Sequence, residues 1–160
     1  MSIQTELNQD TDIYESHIST VAFANKLIDE SVRNCILYYI LKNEYTNNAI
    51  QCLPKDIKGK NKAINILIEN GLKHHANIVA RAFINRKEAI DDYNWIFTGN
   101  VGDITFEDCC EIKDTEPKFI QKTLRSLSEY TIDELAIVYE NYINLGGYFS
   151  LNYRLYNFLK

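Results

Sequence analysis

Apolar positions recur along most of the chain at spacings of three and four, the signature of one helix face turned to a core. The plainest case is SVRNCILYYILKNEY, where Val32, Cys35, Ile36, Tyr39 and Ile40 fall at i, i+3, i+4, i+7 and i+8 and form one broad stripe. Upstream, Ile18, Val21, Phe23, Leu27 and Ile28 in YESHISTVAFANKLI predict another helix, with Asp29 placed to cap the next one. Residues 1–12 lack such a stripe and read as a flexible polar tail, which leaves 13–160 as a single helical domain.

The segment TNNAIQCLPKDIKGKNK reads as a connection, because Pro54 and Gly59 flank a polar, basic stretch. Ala63, Ile64, Leu67 and Ile68 then form a stripe that stops at Gly71, a residue suited to the left-handed turn after a helix C-terminus. A second stripe, Leu72, Ala76, Val79, Ala80 and Phe83, follows at once and predicts an αα-hairpin with Gly71 as its exposed elbow.

Past Arg86, KEAIDDYNWIFTGNVGDITFEDCCEIKDTE predicts a short helix, a loop around Gly99 to Gly102, and another short helix. Pro117 suits the first turn of a helix through KFIQKTLRSLSEY, and Thr131 with Glu134 makes a capping box for IDELAIVYENYINL. Gly146 and Gly147 end that helix, and YFSLNYRLYNFLK reads as a closing helix. The expected fold is an all-α, single-domain helical bundle built from αα-hairpins.

Composition agrees with that expectation. The 160 residues are 46% hydrophobic and 24% charged, which suits one globular domain, and two prolines and six glycines leave few breaks. The N-terminal residues carry no basic and apolar leader pattern, and no apolar run approaches a bilayer span, so a soluble cytoplasmic protein is expected. Cys35, Cys52, Cys109 and Cys110 show no C-x-x-C spacing, and reduced thiols are the expectation.

Chemistry-bearing motifs are scarce. His74 and His75, read as neighbours on a helix, would point about 100° apart, whereas helical zinc sites place histidines at i and i+4. His17 has no ligand partner at suitable spacing. No P-loop, dinucleotide fingerprint, G-x-S-x-G or H-E-x-x-H motif occurs, and the acids beside Cys109 disfavour a reactive thiolate. The expectation is therefore a non-enzyme without cofactor or metal.

The charge layout changes the picture more. From Leu53 to Lys87 there are eight basic residues against Asp56 and Glu69; from Glu88 to Glu116 there are nine acids against Lys113. A formal charge of −5 thus conceals a dipolar chain. One account has the two segments neutralise each other, exposed pairs contributing at most about 1 kcal/mol each. The other has the acidic segment, with Trp95, Phe97 and Phe106, face a basic partner. The candidate partner-binding residues are then Asp91, Asp92, Trp95, Asp103, Glu107, Asp108, Glu111 and Asp114.

The run from Leu53 and Pro54 through AINILIENGL to Ala76, Ile78, Val79 and Ala82 resembles the helical hairpin of small acidic bacterial proteins related to the DNA-mimic family. That resemblance implies an all-helical protein acting through its carboxylates on the DNA-binding face of a partner. The function expected first is a stoichiometric inhibitor, such as an immunity protein that covers the basic cleft of a nuclease-type toxin. The alternatives are a DNA mimic, a regulatory or nucleic-acid-binding module using Lys55 to Lys62, and a viral helical-bundle modulator of host signalling. A sequence pI near 5.2 opposes the nucleic-acid reading.

Overall fold

The computed structural model describes residues 3–98 and 103–144, with side chains in those ranges from Thr20 onward. The described residues form eight α-helices and no strand, an all-α fold. In chain order these are α1 (Ile3–Lys42), α2 (Glu44–Ala49), α3 (Lys60–Glu69), α4 (Ala76–Ile84), α5 (Arg86–Thr98), α6 (Phe106–Ile112), α7 (Pro117–Arg125) and α8 (Ile132–Asn144). Short 3₁₀ turns follow α2 at Ile50–Cys52 and α7 at Ser126–Glu129.

One long helix organises the rest. α1 spans 40 residues, about 60 Å at 1.5 Å per residue. It buries Ala24, Ile28, Val32, Cys35, Ile36, Tyr39 and Ile40 against α4, α5, α6 and α8. The expected break at Asp29 is absent, because the stripe runs unbroken from Ala24 through Ile28 to Val32 and no proline or glycine interrupts it. Asp29 sits in mid-helix instead of capping, and its carboxylate and carbonyl accept from the Tyr142 hydroxyl at 3.3 Å. The segment expected as a tail is also drawn into the helix, which begins at Ile3. The expected connection after Tyr45 opens with α2, whose first turn is capped by the Asn43 side chain accepting from the Tyr45 amide at 3.0 Å.

The helix ends explain the remaining course of the chain. At the end of α3 the Gly71 amide donates to Ile68 and the Leu72 amide to Leu67, both at 3.0 Å, with Gly71 at φ +93°. This paired pattern is a Schellman cap, and Gly71 is its exposed elbow. α3 and α4 pack against each other, yet α4 does not start at once: it begins at Ala76, after His75 in the left-handed region at φ 61°. His74 and His75 therefore lie in the connection, not on a helix. The same Schellman pattern closes α6, where the Asp114 amide donates to Glu111 and the Thr115 amide to Cys110. Here the left-handed residue is Asp114 at φ 56°.

Pro117 opens α7 as expected. Thr131 and Glu134 form the expected capping box, with amide-to-side-chain bonds of 3.1 and 3.2 Å in the two directions. The loop around Gly99 to Gly102, the glycines Gly146 and Gly147, and the closing helix expected after them lie outside the described residues.

Candidate partner-binding face

The acidic segment divides between two places. The first is a groove of about 440 Å³ between α1 and α5, lined by Leu27 and Ser31 from α1, Asp91, Asp92 and Trp95 from α5, and Ile104 from the segment before α6. Asn34 fixes Asp92 by donating its amide to Oδ2 at 2.7 Å across 58 residues of sequence. Burial pushes the Asp92 carboxyl above its ordinary pKa, the Asn34 hydrogen bond opposes that shift, and the charges of Asp91, Glu30 and Glu88 reinforce it. The Trp95 indole N–H donates to the Ile104 carbonyl at 2.9 Å, which holds the ring as a wall of the groove.

The second place is α6 and its flanks, where Asp103, Glu107, Asp108, Glu111 and Asp114 are all exposed. Glu107, Glu111 and Asp114 line a shallower groove with Thr115 and Pro117. Asp108 has a local task as well. With Thr105 it makes a capping box, its amide donating to Thr105 Oγ1 at 3.1 Å while its carboxylate accepts from the Thr105 amide at 3.4 Å. Asp114 likewise forms the left-handed turn after α6.

Two aromatic residues expected on this surface are placed otherwise. Phe106 is wholly buried, with Trp95 edge-on to its ring at a centroid distance of 5.5 Å. Phe97 is half-buried at one end of a stack: Tyr38 lies on Tyr93 at 3.9 Å, Tyr93 adjoins Phe97 at 4.7 Å, and Lys42 and Arg125 cover the outer rings at 5.5 and 5.0 Å. That stack fastens α5 to α1. Of the three aromatics only Trp95 borders a groove among the candidate residues.

Among the described residues, no ion pair joins a basic residue of 53–87 to an acid of 88–116. Lys55, Lys58, Lys62, Lys73 and Lys87 are exposed. Arg86 is used internally: it donates to the Phe83 carbonyl at 2.8 Å and the Lys55 carbonyl at 2.6 Å, and its guanidinium lies 4.2 Å from the Phe83 ring centre. Lys113, the cation within the acidic segment, is half-buried, and desolvation lowers it to about 8 against the opposing pull of Asp29.

The buried thiols of Cys109 and Cys110 are poor nucleophiles. Burial, and secondarily Asp108, raises Cys109; burial and the neighbouring Cys109 push Cys110 up to about 12. All four cysteines are free. His75 Nε2 meets Asp133 Oδ1 at 2.5 Å, and the His74 carbonyl accepts from Tyr45 at 3.0 Å. Among the described residues no group of three His, Cys, Asp or Glu side chains stands together as a metal site, and no helix is long and apolar enough to cross a membrane.

The sequence does not mark Ser31 and Ile104 as site residues, and it offers Leu27 only as part of a helix stripe. A helix continuous through Asp29 places Leu27 and Ser31 one turn apart on one face, which is the signal that could have found them. Nothing in the sequence announces the Asn34–Asp92 contact. Comparison with known proteins finds no matching family model, no matching curated protein and no matching solved structure. The resemblance of residues 53–82 to the DNA-mimic relatives stays an expectation.

Proposed function

We propose that the chain is a stoichiometric protein-binding inhibitor, an immunity protein that neutralises a basic, nuclease-type toxin through the face built by α5 and α6. The observation that carries this reading is a set of exposed carboxylates, Asp91, Asp103, Glu107 and Glu111, that no basic residue of 53–87 pairs with, close in sequence to a groove walled by an aromatic ring. Carboxylates left without internal partners contribute little to folding, but they steer a positive surface toward them and set the register of contact. A plain helical scaffold suffices for that task, since obstruction of a cleft requires no catalytic group.

The test is capture of partners from the source cells on the immobilised chain, followed by reconstitution with the purified partner. A one-to-one complex with a basic nuclease, loss of its activity, and association that slows as salt rises would support the reading. A partner held through Lys58 and Lys60, or retention of nucleic acid in its place, would overturn it.

A further inference from the structure

We propose that the groove between α1 and α5 is an arginine pocket that receives one arginine side chain of the basic partner. This rests on the reading of the acidic face given above and names the chemistry of one contact within it. The groove combines three features. Its walls, Leu27, Trp95 and Ile104, are largely apolar; Asp91 and Asp92 supply negative charge; and Ser31, 5% exposed, lines it with a hydroxyl that has no hydrogen-bond partner among the described residues.

Each feature suits a guanidinium. Asp92 keeps Oδ2 on Asn34, so its second oxygen is the one available to an incoming N–H, and the Ser31 hydroxyl offers a further acceptor. Trp95 has its only polar donor on the Ile104 carbonyl, and what its ring still offers is a π surface. A planar, weakly hydrated cation can lie against that surface while its edge reaches the carboxylate. An ammonium is a strongly hydrated point charge with no plane to stack, and it fits a groove walled by an aromatic ring and apolar side chains less well. Glu30 and Glu88 add to the field of Asp91 around Asp92, so an anion is repelled and a cation relieves the crowding.

The chain contains a single tryptophan, so the Trp95 indole N–H resonance reports on this groove without ambiguity. The full-length chain, labelled with nitrogen-15, is titrated with N-acetyl-arginine methylamide, then with the lysine analogue and the citrulline analogue, which has the shape of arginine without its charge. A saturable shift with arginine, at least about fivefold weaker binding of lysine, and none with citrulline are expected. Asp92→Asn should weaken arginine binding about tenfold or more, the scale of a lost charge-assisted hydrogen bond. Ser31→Ala, a substitution that suits a helix, should weaken it about threefold, and it keeps the test open if Asp92→Asn does not fold. Equal shifts with citrulline, equal affinity for lysine, or no response to arginine would overturn the pocket. Failure of the pocket is distinguishable from failure of the wider reading, which falls only if a captured partner ignores reversal of Glu107 and Glu111, both outside this groove.

Discussion

The basic hairpin and the acidic arm close a helix with the same backbone device and fill it with different residues. After α3 the left-handed position is Gly71; after α6 it is Asp114. Both helices end in the same pair of amide-to-carbonyl bonds. Glycine adopts that conformation freely, whereas a residue with a Cβ resists it. Aspartate is among the few residues with a Cβ that tolerate it, so the acidic arm carries a carboxylate where the basic one has no side chain. The difference teaches that one backbone turn can be closed by a residue without a side chain or by one that adds a charge, and that carboxylates of this arm also serve the backbone, Asp114 in the turn and Asp108 in its capping box. Both arms leave charges exposed, Lys55, Lys58, Lys62, Lys73 and Lys87 in one and Asp103, Glu107 and Glu111 in the other, while Arg86 is turned to carbonyls and a ring within the fold.

The comparison breaks most visibly at Phe106. That ring is fully buried under Trp95 in the acidic arm, and Phe106→Ala should destabilise the chain by about 3–5 kcal/mol. Urea unfolding followed by Trp95 fluorescence measures it, and the Lys58→Glu/Lys60→Glu variant in the basic connection should show a change below about 0.5 kcal/mol.

A smaller effect sharpens the cap comparison. Gly71→Ala meets no atom within 4 Å, so its cost is that of the backbone alone, about 1 kcal/mol. Asp114→Gly should move stability the other way, by up to about 1 kcal/mol. Thermal unfolding of the two variants side by side reads both; a loss of stability in Asp114→Gly would mean that its carboxylate holds the fold.

A separate effect within the acidic arm is a pH dependence. Lys113 is lowered to about 8 in the folded chain, below the ordinary lysine value of about 10.4. A base whose folded value is depressed destabilises the fold while it must stay charged, and that penalty fades as pH rises through the folded value toward the unfolded one. Lys113→Met removes the titration. The stability of the native chain relative to this variant should be level below pH 8 and should climb between about pH 8 and 10.4. Parallel denaturation curves across that window would show that the amine is solvated.

The sequence exposed what depends on neighbours in the chain and hid what depends on distant ones. The Val32–Ile40 stripe, the Gly71 elbow and the Thr131–Glu134 box are local, and the structure has them as expected. The same local reading misjudged Asp29, because an acid before a new apolar run resembles a cap until the stripes on its two sides are found to be continuous. It also laid His74 and His75 on a helix, whereas the left-handed turn at His75 postpones α4 to Ala76. The capping box at Thr105 and Asp108 has the same spacing as the Thr131–Glu134 box, but in so acidic a run its aspartate is indistinguishable by sequence from a surface charge. The groove itself joins residues 27 to 104, with Asn34 and Asp92 brought together across α1 and α5, and no spacing in the sequence marks such a contact.

The central claim is that the acidic arm is the working face. The capping role of Asp108 makes Glu107 and Glu111 the better pair to reverse, since both are exposed and make no hydrogen bond among the described residues. The most direct measurement is the association rate and affinity for the captured partner of Glu107→Lys/Glu111→Lys beside Lys58→Glu/Lys60→Glu, at low salt and at about 0.15 M. The acidic reversal should slow association and weaken binding more than about tenfold, while the basic reversal stays within about twofold. The opposite ranking would contradict the account and move the function to the basic connection.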